Sequence, residues 1–139
     1  MGRIYRAVIG FLFDGNGNVL LIEKNRPAWQ KGRLNGIGGK IEREETPYQA
    51  MIREFREEAG ADVASWREFC RMAGDGYRLC IFTSNEKVKI NPNDDEGEIS
   101  WYPADNLPDN ALPNLRFLVP MANYKFDITA KILHKNPQC

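Results

Sequence analysis

The stretch from Gly36 to Ala61, GIGGKIEREETPYQAMIREFREEAGA, decides the fold because it joins a glycine-rich loop to the clearest helix signal in the chain. Thr46 is an N-cap candidate, Pro47 suits the first helical position, and Gln49 completes a capping box. Gly60 supplies the stop. Apolar side chains recur at helical spacing between these ends, namely Tyr48, Met51, Ile52, Phe55 and Ala59. The pattern predicts a helix from Pro47 to the residue before Gly60.

The charged side of this helix carries three glutamates, Glu54, Glu57 and Glu58, at spacings that place them within reach of one another. Like charges so placed repel, and three glutamates alone are typical of a solvated helix face. The alternative is a carboxylate cluster for Mg²⁺ or Mn²⁺, which prefer oxygen ligands. The preceding Gly38–Lys40 loop favours the second interpretation, because glycines let the backbone approach a ligand closely.

The glycine loop does not fit the common phosphate or calcium motifs. A Walker loop that ends at Lys40 needs glycine at position 34 and Ser or Thr at position 41, where the chain has Leu34 and Ile41. The dinucleotide fingerprint fails at position 41 as well. An EF-hand that starts at Asn91 needs a glycine where Glu96 stands.

A longer spacing does fit: Gly39, five residues, Glu45, seven residues, and then Arg53–Ala61, which reads REFREEAGA. This pattern resembles the Nudix box in full, and with the late segment Glu98–Pro103 the resemblance covers roughly residues 4 to 124. It implies an α/β fold, an α/β/α sandwich with a mixed central sheet, and a single Nudix hydrolase domain over residues 1–139. It also implies Mg²⁺-dependent hydrolysis, with Mn²⁺ as an alternative metal, of a nucleoside diphosphate linked to another group.

The resemblance also implies roles for the residues of the box. Glu54, Glu57 and Glu58 would be metal ligands, together with Glu98 and a backbone carbonyl of Gly38 or Gly39. One of these carboxylates would accept the proton of the attacking water. Arg53 would pair with Glu45 or with a ligand glutamate and fix its orientation. These residues, Glu54, Glu57, Glu58, Arg53 and Glu98, are the catalytic candidates.

The substrate-binding candidates lie outside the helix. Leu34–Lys40 resembles the loop of Nudix hydrolases that remove oxidised purine nucleoside triphosphates, and Leu112–Asn114 resembles their base-reading segment. Asn35 and Asn114 could read a purine edge, because an amide both donates and accepts hydrogen bonds. Turn formation is the alternative role for both asparagines. Lys40, Arg26 and Lys24 are the candidates for phosphate contact.

We therefore expect a Nudix pyrophosphohydrolase that converts a nucleoside triphosphate, with oxidised purines as candidates, to the monophosphate and pyrophosphate. The same chemistry on a nucleotide sugar or a dinucleoside polyphosphate is the first alternative. A non-catalytic Nudix module that senses a nucleotide is the second alternative. The sequence does not assign an oligomeric state.

Charge and composition exclude other classes of protein. Nineteen basic and nineteen acidic side chains give a net charge of zero, so nothing favours a nucleic-acid or membrane-surface binder. The sequence has no apolar run long enough to span a membrane and no signal-peptide core at its start, which predicts a cytoplasmic protein. His134 is the only histidine, so the sequence does not favour histidine-based triads or zinc sites.

The remaining elements are predicted from residue patterns. Residues 4–23 predict a β-hairpin that turns at Asp14–Asn18, and residues 25–40 predict a long functional loop. A hairpin over residues 66–84 would bring Cys70 and Cys80 face to face, as reduced side chains or as a pair. Further elements are strands at 63–71, 77–84 and 98–102, a helix over 112–124 with Pro120 at its start or at a kink, and a closing strand over 125–133.

Overall fold

The computed structural model describes residues 3–124 and 127–135. The described part contains eight β-strands and two α-helices. In chain order they are β1 (Tyr5–Leu12), β2 (Asn18–Lys24), β3 (Leu34–Asn35), β4 (Ile37–Lys40), α1 (Pro47–Ala59), β5 (Arg67–Gly74), β6 (Tyr77–Ser84), β7 (Gly97–Pro103), α2 (Leu115–Ala122) and β8 (Ala130–Leu133). A short 3₁₀ turn, Ala28–Gln30, lies between β2 and β3. No helix in the described ranges is long and apolar enough to cross a membrane.

The main sheet has five strands in the order β4-β1-β6-β5-β8. Strand β1 pairs antiparallel with β4 and parallel with β6, and β5 pairs antiparallel with β6 and parallel with β8. The sheet is therefore mixed, as the sequence predicts. A second sheet, in the order β3-β2-β7, is antiparallel and has three strands.

Strands β1 and β2 do not form the predicted hairpin. The turn residues lie where expected, and the amide of Asp14 donates to the carbonyl of Asn18 at 3.1 Å. Beyond one bridge between Phe13 and Val19, however, β1 and β2 belong to different sheets. The reason is that both edges of β1 are already paired, with β4 and with β6, so that β2 has no edge left to join.

Helix α1 begins and ends at the predicted residues. The amide of Gln49 donates to the Thr46 hydroxyl, and the amide of Thr46 donates to the Gln49 side chain, so both halves of the capping box are formed. Gly60 closes the helix in the left-handed conformation, with φ of 68°.

Two apolar cores lie on opposite sides of the main sheet. One packs α1 against the sheet through side chains such as Met51 and Phe55. The other packs α2 against it through Leu115 and Leu118. A mixed sheet between two helices is the predicted sandwich, and the three-stranded sheet is an addition to it.

The second half of the chain corrects three details of the prediction. Helix α2 begins at Leu115 rather than Leu112, and Pro120 lies inside it. Strand β5 begins at Arg67 rather than at residue 63. The closing strand is limited to Ala130–Leu133, and residues 125 and 126 of the predicted run lie outside the described residues.

Cys70 and Cys80 are both free, and they do not face each other across the hairpin. An irregularity between Glu68 and Cys70 shifts the register, so Cys70 pairs with Ile81 and Arg71 pairs with Cys80. Cys70 therefore belongs to the core on the α2 side, while Cys80 packs against the core on the α1 side.

The predicted loop over residues 25–40 is partly ordered by pairing. Two short strands, β3 and β4, lie within it, and they join different sheets. The glycines of β4 thereby become part of the main sheet, directly beside β1.

Candidate active site

Strand β4 brings Gly39 against the middle of helix α1. Gly39 pairs with Val8 of β1, and a Cβ added to Gly39 would stand 2.6 Å from the carboxylate oxygens of Glu54. A Cβ on Gly38 would stand 1.9 Å from the carbonyl oxygen of Val8. Glycine at position 39 therefore lets the Glu54 carboxylate lie directly on the strand.

Three carboxylates form a compact cluster at this place. Glu54 and Glu58 of α1 and Glu96, just before β7, each offer an oxygen, and these oxygens all lie within 4.8 Å of one another. Glu58 is only 4% exposed and Glu54 only 9%. Neither carboxylate oxygen of Glu58 accepts a hydrogen bond. A buried carboxylate without a donor is costly, and it indicates that a cation belongs there.

The pKa values of the cluster follow from this burial. The pKa of Glu58 is raised to about 9, first by burial and then by the neighbouring carboxylates of Glu96 and Glu54. Burial also raises the pKa of Glu54, against the lowering effect of Arg53. The pKa of Glu96 is lowered, first because a protonated Glu58 can donate a hydrogen bond to it. Without a cation, the cluster thus holds a proton that its burial favours.

Arg53 ties the cluster to the loop before the helix. Its Nε and Nη2 donate to the two oxygens of Glu45 at 2.6 and 2.9 Å, and Nη2 also donates to the carbonyl of Lys40 at 3.0 Å. Its Nη1 donates to Glu54 at 3.0 Å. The hydrogen bonds from Arg53 lower the pKa of Glu45 and raise the pKa of Arg53 itself. Arg53 therefore contacts both Glu45 and Glu54, and its hydrogen bond restrains the Glu54 carboxylate.

Two of the glutamates named from the sequence lie apart from the cluster. Glu57 is on the outer side of α1, where an oxygen lies 3.3 Å from Nη1 of Arg53 and the side chain is 56% exposed. Glu98 is exposed on β7 and pairs with Glu23 of β2. The structure brings Glu96 to Glu54 and Glu58 in place of Glu98.

Sequence reasoning missed Glu96 because it lies in an acidic run, Asp94–Glu98, with no periodicity to say which member faces the site. The contacts that settle the choice are long-range. The amide of Asn93 donates to the carbonyl of Glu58 at 2.9 Å, and the Asn93 side chain donates to the carbonyl of Glu57. The loop is therefore held on the end of α1, and Glu96 follows it.

A cleft of about 870 Å³ begins at the glycine strand and crosses the face of the main sheet. Its walls include Asn35, Asn114 and Lys24, three of the predicted substrate-binding residues. Aromatic side chains surround it, namely Tyr5, Trp29, Tyr77 and Phe117. Among the described residues that line it there is no Asp or Glu, so the cleft suits an anion that carries a flat ring.

The two asparagines differ in their partners. The side chain of Asn35 donates to Gln30 at 3.3 Å and accepts from the amide of Gly36 at 2.8 Å, so both ends of this amide are engaged in the loop. The Oδ1 atom of Asn114 is buried and accepts no hydrogen bond. Asn114 therefore has an open acceptor in the cleft wall, whereas Asn35 has a structural role in the described contacts.

The two other phosphate-contact candidates lie outside the cleft. Lys40 is exposed at the end of β4, where its carbonyl accepts from Arg53. Arg26 lies 3.4 Å from an oxygen of Glu96, in a pair that is largely exposed. Arg26 thus touches the third carboxylate of the cluster rather than the cleft.

The donor set fits a divalent cation that prefers oxygen. Three carboxylates converge, two of them on a helix, and the buried oxygens of Glu58 have no competing donor. Mg²⁺ and Mn²⁺ both meet this description, because carboxylate oxygen suits each of them.

Comparison with known proteins agrees with this geometry. A family model described as the NUDIX domain matches residues 3–120. The NUDIX hydrolase structure from Nitrosomonas europaea superposes with a TM-score of 0.80 at 18% identity, over 98% of this chain and 81% of that one. The structure of the Mutator MutT protein from Bacillus halodurans gives a TM-score of 0.73 at 19% identity, over 97% of this chain and 92% of that one. At such low identities, these superpositions show a shared fold and nothing more.

Two relatives are closer in sequence over a shorter stretch. The 8-oxo-dGTP diphosphatase of Proteus vulgaris is 39% identical over 54 residues, which are 39% of this chain and 48% of that protein. The CTP pyrophosphohydrolase of Escherichia coli is 34% identical over 56 residues, 40% of this chain and 42% of that protein. The matched part of this chain thus spans less than half the length of either relative.

Proposed function

Because this chain belongs to the Nudix family, we propose that it hydrolyses purine nucleoside triphosphates, oxidised ones included, to the monophosphate and pyrophosphate with Mg²⁺. The observation that carries the proposal is one juxtaposition. The buried carboxylate of Glu54, which clusters with that of Glu58, lies against Gly39, and Gly39 also lines a cleft whose described lining residues include no carboxylate. An anhydride placed at this edge of the sheet would have cation ligands on one side and a site for its base on the other.

The metal would be held by Glu54, Glu58 and Glu96, with the carbonyl of Gly39 as a further candidate ligand. When bound, Mg²⁺ neutralises anhydride charge and lowers the pKa of a coordinated water. Arg53 keeps the Glu54 carboxylate turned toward the strand, through the contact of 3.0 Å. Of the three box glutamates on α1, Glu57 is the one outside the cluster, so we assign to it the acceptance of the water's proton.

The base would lie in the cleft, with Asn114 on its edge. The Oδ1 atom of Asn114 has no hydrogen-bond partner, and an unsatisfied buried acceptor is costly. A hydrogen bond from the base to this atom would remove that cost. Lys24 lies in the cleft wall and would contact a phosphate oxygen. The relatives named for 8-oxo-dGTP and for CTP support a nucleoside triphosphate substrate and leave purine and pyrimidine as the two options to compare.

The test is hydrolysis of a nucleotide panel with and without Mg²⁺. The panel contains 8-oxo-dGTP, dGTP, CTP, a nucleotide sugar and a dinucleoside polyphosphate. We expect the highest kcat/KM on a purine triphosphate, and more than a hundredfold loss in E96Q. The variant E98Q separates the two glutamates of the acidic run, and we expect it to stay within a few-fold of the wild type.

Other outcomes would replace the proposal. Preference for the nucleotide sugar or the dinucleoside polyphosphate would assign the enzyme to those substrates, and nucleotide binding without turnover would make it a sensor. For the base, N114A should lower kcat/KM on the preferred purine about tenfold and on CTP much less. The matched control is N106A, in an exposed turn outside the cleft. An equal loss on every base would remove Asn114 from base recognition.

A further inference from the structure

The cleft runs from one edge of the main sheet to the other. Strand β4 forms one edge and β8 forms the opposite edge, and both contribute to the lining, through Gly39 and through Ile132. Four inter-strand spacings separate the two edges, which is about 19 Å. Because the carboxylate cluster lies at the β4 edge, a substrate with its phosphates there extends its base toward β8.

The residue after β8, His134, is held by contacts to two other strands. The amide of His134 donates to the carbonyl of Ala73 at 2.6 Å and so continues the pairing of β8 with β5. The Nδ1 atom of its ring lies 2.9 Å from the hydroxyl of Tyr77, at hydrogen-bond distance. Upstream, Arg67 pairs with Asp127 at 3.4 Å and donates to the carbonyl of Ile128 at 3.2 Å. The backbone of His134 is therefore held on β5, and the hydroxyl of Tyr77 positions its ring.

The cleft offers few polar groups near His134, so those few can discriminate between ligands. Its floor on the main sheet is apolar, and Ala7, Ile9 and Leu79 are among its members. A flat ring can lie on such a floor, but its polar edge needs hydrogen-bond partners. At the β8 end, the side chains of Tyr77, His134 and Lys135 are the polar groups among the described lining residues.

We propose that His134 determines base specificity by hydrogen-bonding the edge of the nucleobase that lies farthest from the phosphates, and that Tyr77 positions its ring. The proposal rests on the proposed function, since it takes the ligand to be a nucleotide with its phosphates at the β4 edge. The contact with Tyr77 engages Nδ1, which leaves Nε2 as the ring nitrogen available to the ligand. Tyr77 is thus a positioning residue, and His134 is the residue that touches the base.

The experiment compares four variants, H134A, H134Q, Y77F and K131A. Lys131 is exposed on β8 and does not line the cleft, so K131A is the matched control. We expect H134A to raise KM about tenfold for the preferred base with little change in kcat, and to reduce the preference for that base. H134Q should recover part of the preference, because an amide can replace one hydrogen bond. Y77F should raise KM two- to fivefold.

A second measurement is independent of turnover. Metal-free protein is titrated calorimetrically with GMP, AMP and CMP. H134A should bind the preferred monophosphate about tenfold more weakly than the wild type, and K131A should bind it as tightly as the wild type. If H134A and K131A agree with the wild type in both KM and titration, the inference is wrong while hydrolysis stands. If the wild type hydrolyses no triphosphate but H134A still weakens monophosphate binding, the proposed function fails and the inference stands.

Discussion

At the scale of single residues, Glu58 is the side chain whose surroundings say most. It is buried among carboxylates with no donor to either oxygen, and its pKa is raised from 4.5 to about 9. Between about pH 5 and 9 the unfolded chain has released this proton while the folded, metal-free protein retains it. Its contribution to stability is therefore complete below pH 5 and is lost as the pH rises toward 9.

The variant E58Q should remove this dependence, because the amide does not titrate. In EDTA at pH 8 we expect E58Q to have a higher free energy of unfolding than the wild type, and the difference should vanish near pH 4.5. Urea denaturation at a series of pH values measures it. Adding Mg²⁺ should stabilise the wild type and leave E58Q unchanged, since a ligand of the folded state alone raises stability. Identical pH slopes for the two proteins would contradict the assigned pKa.

At the scale of elements, helix α1 is fixed at both ends by local devices. Thr46 and Gln49 cap its start reciprocally. At its end, Gly60 has φ of 68°, and a Cβ there would stand 2.0 Å from the carbonyl oxygen of Asn91. Gly60 is therefore required both by its left-handed conformation and by the close approach of the loop that brings Glu96 to the site.

The capping box gives a prediction at this scale. T46A should lower the free energy of unfolding by about 1 kcal/mol, because an amide at the start of α1 loses its acceptor. T46S keeps the hydroxyl and should stay close to the wild type. Thermal unfolding measures both variants. A Tm of T46A equal to that of T46S would show that the cap contributes nothing.

At the scale of the whole molecule, the two cores have different consequences for the site. Phe55 belongs to the core under α1 and packs edge-on against Trp66 at 5.3 Å, while Phe69 belongs to the core under α2 and packs against Phe11 at 6.4 Å. Both side chains are fully buried. Only Phe55 is on the helix that carries Glu54 and Glu58.

The pair F55L and F69L separates stability from site geometry. Both should cost about 1–2 kcal/mol, because each changes the shape of a filled core. We expect F55L to weaken Mn²⁺ binding several-fold, because it shifts the position of α1 on the sheet. Electron paramagnetic resonance measures the binding. F69L should leave Mn²⁺ binding unchanged at equal loss of stability. Equal effects on Mn²⁺ binding would mean that the cores do not act separately.

The sequence by itself determined helix α1, its two ends and the set of glutamates on it. These features depend on contacts three or four residues apart, so the local pattern from Thr46 to Gly60 was sufficient. The family resemblance supplied the mixed sheet between helices, and the match over residues 3–120 confirms the family. Glu45 was also one of the predicted partners of Arg53, because both residues belong to the box pattern, and the two side chains are hydrogen-bonded.

Only the tertiary structure decided which residues meet from distant parts of the chain. It selected Glu96 over Glu98, since that choice depends on contacts between the loop at Asn93 and the end of α1. It placed β1 and β2 in different sheets, since β1 was already paired on both edges. It also brought His134 to Tyr77 through the parallel pairing of β8 with β5. Such pairings depend on the closure of long loops and on register, which no local spacing encodes.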